Sequence, residues 1–228
     1  MRTLLLFDID GTLVLTGRAG LRALNRAFHE ATGIAGGFHG VNAAGRTDGY
    51  LLEEAARRHG VDLTPQLRAT LESRYYDILA EEILAPGEGR KQVMPGVRPL
   101  IDTLRDRDDT TLALLTGNFR ASARIKLEHF DLWSPFAFGA FADDASDRNL
   151  LVPVALQRAR EAGHEPRAER VIVIGDTPLD VECAKAGGVR ALGVATGSHT
   201  AGDLRHAGAD DVFEDLSDTE QVLNALGL

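Results

Sequence analysis

An α/β fold is predicted for this chain, an open doubly wound parallel sheet interrupted by an all-helical insert. Three observations predict it. From Met94 onward short apolar runs alternate with helical segments across short loops, the pattern of a parallel sheet covered on both faces. A further apolar run at the N-terminus is separated from these by a long stretch of purely helical periodicity. Aspartates cluster at the ends of the first run and of a later one, where sheets of this kind carry their ligand sites.

The elements follow in order. Thr3–Phe7 is an apolar strand that runs into Asp8-Ile9-Asp10-Gly11-Thr12-Leu13, where the glycine lets the chain turn. After Leu13 the pattern becomes helical: Leu21, Leu24, Phe28 and Ala31 share a face, and Gly33 with Gly36-Gly37 ends the run. Two more helices are predicted over 50–59 and 65–84, with Gly60 as a stop and Thr64-Pro65 as a start. Pro86-Gly87-Glu88-Gly89-Arg90-Lys91 has linker composition. Strands are then predicted over 111–115, 138–141, 171–174, 191–194 and, more weakly patterned, 211–213. The expected organisation is a Rossmann-like core of residues 1–15 and 92–228, with a helical cap at 16–91.

Composition narrows the function classes. With 44% hydrophobic and 26% charged residues in 228, the chain has the make-up of a soluble globular protein. A net charge of −9 argues against a nucleic-acid partner, which calls for a basic face. The lone Cys183 cannot form an internal disulfide, and no apolar span marks a membrane segment, so a cytoplasmic protein without a membrane partner is expected. Cys183 falls in a predicted helix beside Ala184 and Ala186 and reads as a small core residue.

The chemistry starts at Asp8 and Asp10. In a strand, residues two apart share a face, so both carboxylates can point into one cleft, where a cation or a proton must sit between them. Hard oxygen ligands with no histidine or cysteine nearby favour magnesium. An acidic turn at a strand end is the plainer alternative. Thr116-Gly117-Asn118 ends the strand at 111–115 and puts a hydroxyl and backbone donors ahead of a helix, as a phosphate seat or as an ordinary helix cap. Gly175-Asp176-Thr177-Pro178-Leu179-Asp180 places two more carboxylates at a strand end and in the mouth of the next helix, either completing a metal site or capping that helix.

These motifs, in this order, resemble the signature of the haloacid dehalogenase-like superfamily over nearly the whole chain, nearest its phosphoglycolate phosphatase-like branch. The resemblance implies that Asp8 is a nucleophile forming an aspartyl-phosphate and that Asp10 is its general acid and base. It implies phosphate binding by Thr116 with Gly117 and Asn118, and a magnesium site drawing on Asp8, Asp10, Asp176 and Asp180.

The third motif departs from the superfamily pattern, which usually supplies a lysine. Here the stretch is Asp143-Asp144-Ala145-Ser146-Asp147-Arg148-Asn149, and Arg148 is the candidate cation, able to grip phosphate or carboxylate at two points. Lys126, in the helix after Thr116, is the alternative, although a helical lysine is ordinarily solvated. In the insert, Gly45-Arg46-Thr47-Asp48 lies where caps of this superfamily send a loop to the active site. Arg46 and Thr47 are candidate substrate contacts, against the reading that Thr47 or Asp48 merely caps the next helix. The seven histidines lack the paired spacing of a transition-metal site.

The expected function is a magnesium-dependent phosphatase of a small phosphorylated metabolite, a phosphoglycolate- or sugar-phosphate-like monoester. Dehalogenases dispense with the second acid and the magnesium shell, and phosphonatases replace that acid, so Asp10 and Asp176 count against both. A sugar-phosphate mutase would keep all four acids, and a non-catalytic phosphate-binding module is the alternative of another class. Oligomeric state has no signature in the chain.

Overall fold

The computed structural model describes residues 2–228. The chain runs β1 (Thr3–Phe7), β2 (Val14–Thr16), α1 (Ala19–Thr32), α2 (Asp48–His59), α3 (Pro65–Glu82), β3 (Lys91–Val93), α4 (Val97–Arg105), β4 (Thr110–Leu115) and α5 (Arg120–Glu128). It continues as β5 (Gly139–Ala140), a 3-10 turn (Arg148–Leu150), α6 (Leu151–Glu161), β6 (Val171–Gly175), α7 (Pro178–Ala186), β7 (Arg190–Val194), α8 (Ala201–Ala207), β8 (Asp211–Phe213) and α9 (Thr219–Leu226).

Six strands form one parallel sheet in the order β5-β4-β1-β6-β7-β8. The period-2 alternation of β1 sends its leucines to two different cores. Leu5 and Phe7 pack with Val97, Leu100, Leu127 and Val222 of α4, α5 and α9. Leu4 and Leu6 pack with Val152, Ala155, Val181 and Leu204 of α6, α7 and α8. Each fully buried side chain of this kind contributes roughly 1.5–3 kcal/mol, which is why β1, covered on both faces, reads as a continuous apolar run. The chain builds β4 and β5 to one side of β1, then crosses to build β6, β7 and β8 on the other. The turning point is therefore at β1, and the carboxyl ends of β4, β1 and β6 are neighbours.

Helices α1, α2 and α3 enclose a third cluster of their own, with Leu24, Phe28, Leu52, Leu71, Tyr75 and Ile78 at its centre. Their ends follow local chemistry. Thr47 caps α2 by accepting from the Tyr50 N–H, and Thr64 caps α3 with Pro65 in its first turn. Two features differ from the sequence reading. Val14–Thr16 and Lys91–Val93 pair as a two-stranded antiparallel ribbon where turn and linker are expected, because three-residue strands with a distant partner leave no local periodicity. The expected strand over 138–141 shortens to Gly139–Ala140, since the Phe141 N–H is taken at 2.9 Å by the Asp144 carboxylate rather than by a neighbouring strand. Among the described residues no helix is long and apolar enough to cross a membrane.

Candidate active site

The two aspartates of the first motif part company. Asp8 closes β1 with its N–H still bonded to the Ile174 carbonyl at 2.9 Å, and its buried carboxylate lies with those of Asp176 and Asp180, oxygens of all three within 4.8 Å of one another. Ile9 is wholly buried in the core, and the Asp10 carboxylate turns instead to Lys126 and Asn118. The acidic cluster is thus Asp8, Asp176 and Asp180, and the Asp10 side chain stands outside it.

Local backbone explains how β6 delivers its two acids. Asp176 ends the strand, and Thr12 donates to its Oδ1 at 3.1 Å. Gly11 lies against the same carboxylate at φ 88°, where a Cβ would stand 2.4 Å from Asp176 Oδ2, so both conformation and space demand glycine. Asp180 occupies the third position of α7 in a capping box with Thr177, whose N–H and hydroxyl donate to Oδ2 at 2.9 and 2.7 Å. Its other oxygen accepts from Arg148, which also lies 3.1 Å from Asp8 Oδ1 and donates to the Gly45 carbonyl at 3.0 Å.

Three buried carboxylates facing one guanidinium leave two negative charges uncompensated. Burial, reinforced by Asp180 and Asp10 and opposed by Arg148, pushes the Asp8 carboxyl up to about 6. Burial with the charges of Asp180 and Asp8 lifts Asp176 well above the carboxylate range. An all-oxygen donor set with that charge deficit fits one hard divalent cation such as Mg2+.

Thr116, at the end of β4, is fully buried. Its Oγ1 accepts from the Asn118 side chain at 2.8 Å and backbone N–H at 3.3 Å, which leaves its own proton to donate. Lys126, the alternative cation, is not solvated as a helical lysine ordinarily is. Its side chain is 6% exposed, and Nζ donates to Asp10 Oδ2 and Asn118 Oδ1, both at 2.6 Å. Ala123 and Leu127 of α5 face the sheet, whereas Lys126 falls on the side that α1 and α3 cover: a Cβ at Gly20 would stand 3.2 Å from its Nζ. Arg148 and Lys126 therefore serve different carboxylates, the first Asp8 and Asp180, the second Asp10.

Between the sheet edge and the helical insert lies a cavity of about 540 Å³. Asp8, Asp10, Thr116, Arg148 and Asp176 line one side, and Leu21, Leu24, Leu51 and Tyr75 the other.

The sequence profile of the haloacid dehalogenase-like hydrolases matches residues 5–185. The chain belongs to that family. Among its relatives are "Probable phosphatase IndB" of Dickeya dadantii, 30% identical over 99% of this chain and 95% of that protein, and "Phosphoglycolate phosphatase" of Mesorhizobium japonicum, 29% identical over 86% and 84%. A crystal structure of a hydrolase from Pseudomonas syringae superposes with a TM-score of 0.72 at 23% identity, covering 98% of this chain and 99% of that one. As a haloacid dehalogenase-like hydrolase the protein is an enzyme.

The insert of this hydrolase meets the core through residues 45–48. Thr47 does not line the cavity: its hydroxyl accepts from the Tyr50 N–H at 3.1 Å and donates to the Ser146 carbonyl at 2.7 Å, so helix capping takes the group expected to touch substrate. Arg46 does line the cavity, with its guanidinium 4.7 Å from the centre of the Tyr50 ring. Gly117 admits this loop, for a Cβ there would stand 2.3 Å from the Arg46 carbonyl oxygen.

Asp48 is the site-region residue whose role the sequence does not announce. Its N–H donates to the Gly117 carbonyl at 2.6 Å, and its buried carboxylate accepts from the Phe119 N–H at 3.0 Å and the Ser122 hydroxyl at 2.9 Å. A residue of the insert thereby caps α5 of the core. Burial lifts its carboxyl from 3.8 to about 6, against the downward pull of Lys126 and of the two donors. The folded protein holds this proton more tightly than the unfolded chain, so the associated stability is whole below 3.8 and is lost as pH rises through about 6. Asp48→Asn keeps an acceptor for Phe119 and has no charge to bury. Its melting temperature is expected to gain on the parent more at about pH 8 than at about pH 4.5. Equal shifts at the two pH values would refute the buried-carboxylate account.

Proposed function

We propose that this hydrolase is a magnesium-dependent phosphatase of a small phosphorylated metabolite, a phosphoglycolate- or sugar-phosphate-like monoester, working through an aspartyl-phosphate on Asp8. The observation that carries the reading is the buried cluster of Asp8, Asp176 and Asp180 with a single guanidinium, at the floor of a cavity that Thr116 also lines. The phosphatases among its relatives support the same reading.

Asp8 and Asp176, with Asp180 beside them, would hold the cation, which supplies positive charge against the phosphoryl oxygens. Asp8 forms a bond to phosphorus as the ester P–O bond breaks, and Asp10 gives its proton to the departing oxygen. In the second half Asp10 takes a proton from water, the water oxygen bonds to phosphorus, and the Asp8–phosphorus bond breaks. Inorganic phosphate leaves and both aspartates regain their starting states. Thr116 donates its free hydroxyl proton to a phosphoryl oxygen, Gly117 and Asn118 shape that seat, and Arg148 holds Asp8 in line while offsetting charge. The insert acts as a cap that screens the reaction from bulk water, with Arg46 on its wall as a contact for an anionic substrate group.

The test is a screen of phosphomonoesters with magnesium, with chelator, and with magnesium restored. Inorganic phosphate is expected only when the cation is present, and Asp176→Ala is expected to be inactive. Turnover that persists in chelator, with an equally active Asp176→Ala, would remove the metal from the reading. An isomeric phosphate ester in place of free phosphate would make the protein a mutase.

A further inference from the structure

Asp10 must move a proton in both halves of the reaction, yet its side chain is 41% exposed and packing alone does not fix it. Two donors converge on one of its oxygens: Lys126 Nζ at 2.6 Å and Asn118 Nδ2 at 2.8 Å, both to Oδ2. Asn118 is itself fixed, since its Oδ1 accepts from Lys126 at 2.6 Å and its Nδ2 also donates to Thr116 Oγ1 at 2.8 Å.

We propose that Lys126 is a positioning residue for the proton-transferring carboxylate, saturating Oδ2 of Asp10 together with Asn118 so that the proton is carried and exchanged on Oδ1. A proton on Oδ2 would point at two N–H donors, whereas among the described residues Oδ1 has no such neighbour. The same triangle ties the Asp10 side chain to the Thr116 hydroxyl, so the proton donor and the phosphate seat hold a set distance. The helical insert completes the arrangement. Gly20 of α1 packs on the Lys126 head, whose side chain is 6% exposed, and this shielding strengthens its hold on the carboxylate. Glycine at position 20 leaves the lysine head room, since a Cβ would press on Nζ and Cε at 3.2 and 3.3 Å and shift them by a few tenths of an ångström.

This inference rests on the phosphatase reading, and its test separates the two. The variant is Lys126→Met, which keeps volume and removes charge, checked for folding by circular dichroism. The substrates are 4-nitrophenyl phosphate, whose leaving group departs without a proton, and phenyl phosphate, which has the same ring and a far more basic leaving oxygen. Misplacing the acid is expected to lower kcat/KM on phenyl phosphate on the order of tenfold more than on 4-nitrophenyl phosphate. A residue that only braces the fold would lower both alike. Lys126→Met added to Asp10→Asn is expected to cost less than about twofold further, because the lysine acts through that carboxylate. Gly20→Ala, which crowds Nζ without removing its charge, is expected to show a smaller loss with the same dependence on the leaving group. Equal losses on the two substrates, or losses that multiply in the double variant, would overturn the positioning role while leaving the phosphatase intact. A parent protein that releases phosphate from no monoester in magnesium would overturn the phosphatase reading and this inference with it.

Discussion

Asp8→Asn is expected to release no phosphate from any monoester while melting no lower than the parent in metal-free buffer. The amide has nearly the shape of the carboxylate but no charge with which to attack phosphorus, so the covalent route closes at its first step. Stability moves the other way. Asp8 sits buried beside Asp180 and Asp176, and its carboxyl is pushed up to about 6, so near neutral pH the folded protein bears the cost of its ionisation. A neutral side chain removes that cost, and Arg148 keeps Asp180 as its partner. Phosphate release and thermal melts by circular dichroism read the two effects separately. Acid-quenched parent protein should retain labelled phosphate that the variant does not. A folded Asp8→Asn with near-normal turnover would sink the covalent mechanism.

Arg148→Ala should lose on both counts. The guanidinium is the only cation in direct contact with the cluster among the described residues, reaching Asp8 and Asp180 together. Loss of one preorganised donor of this kind typically costs about 3 kcal/mol of transition-state stabilisation, roughly a hundredfold in rate. Removing one partner of a buried ion pair costs a further ~3–5 kcal/mol of folding stability. Because the deficit left behind is negative charge, magnesium should recover more melting temperature in Arg148→Ala than in the parent. Arg148→Lys should recover part of the rate, an ammonium supplying charge without the two-point grip on Asp8 and the Gly45 carbonyl. Steady-state assays at saturating magnesium and melts with and without it make the comparison. A healthy Arg148→Ala would remove this residue from the phosphate site.

The legible parts of this molecule are those in which one short segment carries both its structure and its chemistry. β1, β4 and β6 are apolar runs that stop at Asp8, Thr116 and Asp176, so strand, strand end and candidate group are read together. The helix caps at Thr47, Thr64 and Thr177 are equally local. What escapes the sequence is set by which surfaces meet. Lys126 is spaced along α5 like any solvated lysine, and it is the packing of α1 at Gly20, with Asp10 and Asn118 taking its donors, that encloses it. Asp48 stands in the first turn of α2, where an acid ordinarily faces water and the helix dipole, and it is the packing of that turn on Gly117 and Phe119 that encloses it. Thr47 could serve substrate or helix, and the Ser146 carbonyl on its far side decides for the helix.

The place of β1 in the sheet bears on how the chain is made. Of the described strands, the first to be synthesised is the one both halves of the sheet are built on, and its partners are late: Thr3 waits for Thr110, and Leu4 for Val171. At about 5–20 residues per second, the nascent chain carries Thr-Leu-Leu-Leu-Phe without a partner for roughly 5–20 seconds before β4 exists, and longer with one edge open before β6 follows. The three helices between have their apolar partners close in sequence and can collapse during that interval. Synthesis therefore yields the roof of the catalytic chamber before its floor, with a bare hydrophobic strand tethered beside it, and that strand is the segment a holdase chaperone would find to bind.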